Sequence, residues 1–539
     1  MHFRSKMLNL IYLKLRKTLV LIFICATFSA CNWFKEKPEI AVVLSEHFDN
    51  KLYNKFDTAV YLPIFKAKLE EQRKGFLNPK LITAFYEKNE YLPQLVTKFY
   101  VNGQLDTLKA FIVASKADGF NPEIFNLANY EKQLQTLNKN QFKKIDEVYD
   151  LIADLELNTA YVLNKYTNFM AYGSINPRNF FNRFYIPVKR PDSLTMDSVL
   201  HTENLVETLK SVQPTDKSYL QLKRALASYQ ANSGEASSTI NTIKMNLERM
   251  RWRLPKKTEE LVVVNIPDFK LTWFKQDDTL ASMNVCVGAK REATYAEKMK
   301  AYMKSGSLDD KPKNHETPQL FSVFNAIQVN PIWNIPVSIA KSEIYWMARK
   351  DPYYLSNNNI RVYYKGKLVA DPDTINWNKY PREKLPFQFK QGSGEGNALG
   401  KFKFVFDNSS SIYLHDTNNK YGFKLANRAI SHGCVRIEQP LRFAELMVKD
   451  KYQYDRLRMD VDLPPIDTTK NEIFKKKLAK KSDTLNIFKL KPTWYSPRKS
   501  IGVFIAYYTA WADDNGVVQF RPDVYNYDPI LWEAIKRYM

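Results

Sequence analysis

The chain is 539 residues long, with 80 basic and 57 acidic side chains, a formal net charge of +23, and 45% hydrophobic and 14% aromatic residues. That apolar and aromatic content excludes disorder as the main state, and the length allows roughly two to four domains. Four cysteines in so long a chain exclude a disulfide scaffold.

Residues 1–31 read as an export signal. Arg4, Lys6, Lys14, Arg16 and Lys17 precede the apolar run 19–26, which is far short of the roughly 20 residues that span a bilayer. The end of this segment, Phe28-Ser29-Ala30-Cys31, resembles a bacterial lipobox, so Cys31 is expected to carry a lipid. Simple cleavage and an uncleaved anchor are the alternatives. An exported protein of charge +23 suits anionic lipid and wall carboxylates rather than nucleic acid, or simply has a solvated basic surface.

Residues 32–78 begin as a tether and become mixed. From Asn78-Pro79, a helix cap and first turn, the pattern is helical to 254. Predicted helices cover 81–98, 104–116, 198–211 and 217–230. Ile145, Val148, Leu151, Ile152, Leu155, Thr159 and Val162 mark a long helix that can end near Gly173. Asn232 to Ser238 is a Ser/Gly linker, and a last helix follows through Asn246–Trp252. From Glu260 the period shortens. Strands are predicted at 261–266, 269–275, 281–287, 320–329, 402–406, 410–415, 503–509 and 517–521. The stretch 337–396, rich in Tyr, Asn, Pro and Gly, reads as an insertion acting as a lid or binding loop. The expected division is 1–31 signal, 32–78 tether, 79–254 helical scaffold, 258–465 β-rich domain with its insertion, and 466–539 C-terminal extension. The fold class is therefore α+β multidomain, a helical scaffold followed by a β-rich, mixed β-sandwich domain.

Chemistry concentrates in one place. Of six histidines in the chain, His415 and His432 fall within twenty residues of each other and of Cys434, in Ser431-His432-Gly433-Cys434-Val435-Arg436. His415 is predicted to end a strand, so that its imidazole can take the Cys434 thiol proton and later return it to a leaving amine. Gly433 lets backbone approach a substrate carbonyl, and the peptide N–H groups around Gly433 and Cys434 can form an oxyanion hole. The pattern supports acyl transfer through a thioester. A zinc site from His415, His432 and Cys434 is the other reading, short of a fourth ligand. Cys286, in an apolar strand, reads as a buried inert thiol; a bridge to Cys434 would consume the nucleophile.

His415-Asp416-Thr417 followed by Ser431-His432-Gly433-Cys434-Val435-Arg436 resembles the signature of the L,D-transpeptidases, the YkuD-type cysteine enzymes of bacterial cell walls. The resemblance implies Cys434 as nucleophile, His415 as proton donor and acceptor, Gly433 in the oxyanion hole and His432 in support. Arg436 matches the family arginine and is either a substrate carboxylate anchor or an internal ion-pair partner. Asn330–Pro336, Asn397–Phe402, Asn246–Trp252 and the segments 508–511 and 520–525 resemble the large Gram-negative members, whose insertion caps the site. Trp333 and Asn397, in those segments, are candidate substrate contacts. The peptidoglycan-binding three-helix module common in such proteins is replaced by the short Ser/Gly linker.

The implied activity is formation of 3→3 cross-links from tetrapeptide stems of peptidoglycan, at the periplasmic side of the cell envelope, with no cofactor. Water as acceptor would make an L,D-carboxypeptidase or endopeptidase, and a protein lysine would make an anchoring enzyme. An inert wall-binding scaffold is the non-enzymatic alternative.

Overall fold

The computed structural model describes residues 37–539 apart from 233–236, 255–257, 277, 483–491 and 514. The signal segment and Cys31 lie outside the described residues, as does most of the Ser/Gly linker. Among the described residues no helix is long and apolar enough to cross a membrane. The chain forms two compact units. The first takes residues up to Lys116, Phe120–Ala171 and Pro191–Gln213; the second takes Ala117–Gly119, Tyr172–Arg190 and Pro214–Met539.

The first unit is helical and is organised by the helix Asp146–Tyr172, whose residues are buried on almost every side. The 3.6-residue spacing in the sequence predicts this helix, and it stops before Gly173, which has φ +79°. A helix buried all round must satisfy its polar groups internally. Glu156 does so by accepting the backbone N–H groups of Gln94, Leu95 and Val96 at 2.8–3.0 Å and the Tyr86 hydroxyl at 3.0 Å. Burial holds its carboxyl above the usual range. Two predicted helices are each divided. The span 81–98 breaks where Glu90 and Tyr91 turn left-handed ahead of Pro93, giving Pro79–Lys88 and Leu95–Phe99. The span 198–211 becomes Ser193–Leu200 and Leu205–Ser211, the second capped by the Asn204 side chain on the Glu207 N–H. Residues 39–48 and 58–72, read from sequence as tether and mixed structure, are helices, the second containing Pro63.

In the second unit the helices Lys217–Ala231 and Ser237–Arg251 pack through Tyr219, Leu222, Leu226, Ile243 and Leu247. Among the described residues sixteen strands follow in chain order. They are β1 Glu260–Asn265, β2 Lys270–Lys275, β3 Asp278–Gly288, β4 Leu320–Val329, β5 Trp333–Ile335, β6 Ile360–Tyr364, β7 Lys367–Leu368 and β8 Phe387–Gln391. The rest are β9 Phe402–Phe406, β10 Leu414–His415, β11 Ala429–Ser431, β12 Val435–Ile437, β13 Thr493–Tyr495, β14 Ile501–Ala506, β15 Ala510–Ala512 and β16 Val518–Phe520. The main sheet runs β11-β3-β12-β10-β9-β4-β14-β1-β2, with β13 also on β4. The long strand β3 pairs β2 along its first part and β12 along its last, so the sheet folds back across one core. That core holds Leu271, Trp273, Val285, Ile327, Phe404, Leu414, Val435 and Phe443. The mixed sheet and its helical lead-in match the expected fold class.

Three features depart from the linear reading. Strand β14, near the end of the chain, lies inside the sheet between β1 and β4, parallel to the first. The predicted strand 410–415 shortens to its last two residues. Before it, the Asn408 side chain accepts from Ser410 N and Ile412 N and donates to Ile412 O, and Ser411 has φ +54°. The insertion is a folded body, with the sheet β5-β8-β6-β7 over a small core of Ile344, Leu355, Val362, Trp377 and Phe389.

Candidate active site

Strand register assembles the site. His415 of β10 faces Lys403 of β9 on one side and Arg436 of β12 on the other, and Arg436 in turn faces Cys286 of β3. Directly paired residues share a sheet face, and alternate residues return to it. The row Lys403–His415–Arg436–Cys286 therefore lies opposite the core row Phe404–Leu414–Val435. Two residues back along β10 and β12, on the row's own face, stand Tyr413 and Cys434; the Val435 N–H bonds to the Tyr413 carbonyl at 3.2 Å. The nucleophile and base candidates thus come together on adjacent parallel strands.

His415 is 5% exposed. Its Nδ1 meets the Asp416 carbonyl, which can only accept, so Nδ1 carries the proton and Nε2 is left as the basic lone pair. Burial first, and the Arg436 cation second, pull its pKa down to about 3. Cys434 is half-buried, and burial pushes its thiol above the ordinary range. The Tyr413 backbone N–H and hydroxyl, Lys403 and Arg436 oppose that shift. Cys434 and His415 accordingly rest as neutral thiol and neutral imidazole. That environment does not favour a stored thiolate–imidazolium pair.

The oxyanion candidates separate on inspection. Gly433, at φ +118°, adopts a conformation open to glycine. Its N–H is already bonded to Ser431 Oγ at 3.1 Å, while that hydroxyl donates to the Cys434 carbonyl at 2.6 Å. The Cys434 N–H has no acceptor among the described residues, and it is the donor left for a developing oxyanion. His432 turns away from the sulfur: its Nε2 meets Glu343 Oε1 of the insertion at 2.5 Å, and its ring packs edge-on against His315 at 4.7 Å. Among the described residues no three His, Cys, Asp or Glu side chains gather as metal ligands, and His432 is turned to Glu343. Cys286 and Cys434 are both free thiols.

Of the proposed substrate contacts, Arg436 stays on the active face with a buried Nε that has no hydrogen-bond partner among the described residues. Trp333 reaches the site through Tyr413, whose hydroxyl it supports. Asn397 is bonded within its own loop: its Nδ2 donates to Pro331 O at 3.0 Å and Gly392 O at 2.8 Å, and its Oδ1 accepts Leu399 N at 2.7 Å. With its amide so occupied and 1% exposed, it shapes its own loop.

Sequence reasoning missed Tyr413, Lys403, Glu343 and His315. Tyr413 was available from the two-residue period ending at His415. Lys403, whose amine lies 4.1 Å above the Tyr413 ring and is pushed below its usual range by burial, needed the β9–β10 register. Glu343 and His315 come from distant segments with no local signal.

Residues 259–457 match a family model described as the L,D-transpeptidase catalytic domain (YkuD), and residues 80–226 match one described as a scaffold domain. A curated protein of Haemophilus influenzae (strain ATCC 51907 / DSM 11121 / KW20 / Rd), described as "Putative L,D-transpeptidase", is 27% identical over 348 residues. The match covers 64% of this chain and 60% of that protein, so the chain spans about three-fifths of the relative's length.

Proposed function

Since the chain carries a YkuD-type L,D-transpeptidase catalytic domain behind a scaffold domain, we propose that it is a cysteine acyltransferase that forms 3→3 cross-links in peptidoglycan. The observation that carries this reading is the free Cys434 N–H beside a half-buried thiol, with the His415 base on the same sheet face. Cys434 Sγ adds to the carbonyl of the third stem residue while His415 Nε2 takes the thiol proton. The oxyanion develops against the Cys434 N–H, and its collapse breaks the amide to D-alanine, whose nitrogen receives the proton from His415. The side-chain amine of a second stem then attacks the thioester, releases the Cys434 thiol and leaves the new amide.

Arg436 and Lys403, two cations on the active face, suit a substrate bearing free carboxylates. The proposal places this chemistry in the cell envelope, after export directed by residues 1–31, with a lipid on Cys31 as membrane tether. The test is incubation of purified sacculi with wild type and Cys434→Ala, followed by muropeptide analysis. New 3→3 dimers with wild type alone support the reading. Shortened stems without dimers would replace it with a carboxypeptidase, and products from the alanine variant would end it.

A further inference from the structure

The Cys434 N–H can serve a developing oxyanion only while the Gly433–Cys434 peptide keeps one orientation, and glycine at φ +118° does little by itself to keep it. A remote side chain supplies the restraint. The Thr317 hydroxyl donates to the Gly433 carbonyl at 2.8 Å and accepts the Gly288 N–H at 2.8 Å. A carbonyl only accepts, so the hydroxyl's single proton is committed to Gly433. The peptide unit is planar and trans, so a carbonyl held toward Thr317 turns the Cys434 N–H the opposite way, where it meets no acceptor among the described residues.

Thr317 is itself fixed. It is 0% exposed, and its N–H donates to the Tyr525 hydroxyl at 3.0 Å, which donates in turn to the Gly288 carbonyl at 2.7 Å. Tyr525 is held by its own N–H on the Tyr507 hydroxyl at 2.7 Å. A chain of bonds thus runs from the C-terminal segment to the peptide beside the nucleophile. The packing admits nothing larger at Gly288, where a Cβ would stand 1.7 Å from the His315 carbonyl oxygen and 2.8 Å from Thr317 N.

We propose that Thr317, braced by Tyr525, is a positioning residue that holds the Cys434 N–H as the oxyanion donor, an inference that rests on the acyl-transfer reading above. Two covalent reactions of the same sulfur separate this role from general support. With a carbapenem, Sγ adds to the lactam carbonyl, an oxyanion forms, the ring C–N bond breaks and the nitrogen takes the proton. With iodoacetamide, Sγ displaces iodide at a saturated carbon and no oxyanion forms.

Thr317→Val should slow carbapenem acylation by about 10- to 100-fold, below the roughly 10²–10³-fold of losing a donor outright, and leave alkylation within twofold of wild type. Thr317→Ser should restore acylation. Tyr525→Phe should lose part of it, again with alkylation unchanged, and decides the matter if the valine variant is insoluble. Acylation of Thr317→Val at the wild-type rate would overturn this proposal alone. A parallel fall in both reactions would overturn it by making Thr317 structural only. A wild-type protein that alkylates and never acylates would overturn the acyl-transfer reading, and this proposal with it.

Discussion

Replacing His415 by asparagine should flatten the acid limb of the protein's stability. The buried imidazole has a pKa of about 3 in the fold and about 6.5 in an unfolded chain. Between those values the unfolded state binds the extra proton, so stability rises with pH and is lost as pH falls. Above pH 6.5 both states are neutral and the group adds no slope. At about 1.36 kcal/mol per unit, the separation is worth about 4–5 kcal/mol, of which about 2.7 kcal/mol falls between pH 7.5 and 4.5. Asparagine Nδ2 can take the place of Nδ1 on the Asp416 carbonyl, so the variant keeps the hydrogen bond and loses the titration. Urea unfolding of both proteins at pH 7.5 and 4.5 measures the effect. Carboxylates common to the two cancel in the difference. The variant should lose about 2.7 kcal/mol less than wild type over this interval; profiles parallel to within about 0.5 kcal/mol would refute the neutral, buried imidazole.

Other consequences are open to simpler measurements. The alkylation rate of Cys434 should climb with pH without levelling near the ordinary thiol pKa of about 8.5, because burial holds the thiol up; a plateau near pH 7 would reveal a preformed thiolate. Lys403→Met removes a cation opposing that shift and should slow alkylation further at pH 8, with an unchanged rate excluding any electrostatic contact. Glu343→Gln removes the insertion's charge from His432. As a hydrogen bond partly open to solvent its loss should cost about 1 kcal/mol yet increase hydrogen exchange in 340–344, and unaltered exchange would mean the contact holds nothing. Arg251 is 1% exposed and bonds Glu248 at 3.1 Å, the Asp118 carbonyl at 2.9 Å and the Tyr219 hydroxyl at 2.8 Å. Arg251→Met strands the buried Glu248 carboxylate and should cost about 3–5 kcal/mol in urea unfolding, against under 1 kcal/mol if the network were dispensable.

What could be read from the sequence follows the range of the forces that left a trace in it. The helix Asp146–Tyr172 was legible because its apolar residues recur at every turn, and β9 because alternation runs through the whole strand. His415 and Cys434 were legible because strand, loop and glycine turn lie within twenty residues. Tyr413 sits two positions before His415 and was within reach of the same argument. The central place of β14 was not legible: its apolar run marks a strand, but nothing within it names β1 and β4 as neighbours. Asn397 shows the opposite case, a polar residue in a marked segment whose amide is bonded to its own loop.

Gly288 marks the boundary between these cases most sharply. Read locally, a glycine closing an apolar strand weakens it and implies only a bend or an edge. In the fold, its missing side chain is what allows the segment 315–317 to lie against β3, with the His315 carbonyl in the space a Cβ would need. That approach brings the Thr317 hydroxyl to the Gly433 carbonyl. The residues that do chemistry are thus close in sequence because one turn must present them. The residues that hold the turn are scattered because a sheet closed across its core recruits support from whichever segments reach its edge. Such support leaves no periodicity, only isolated glycines and threonines whose reason is three-dimensional.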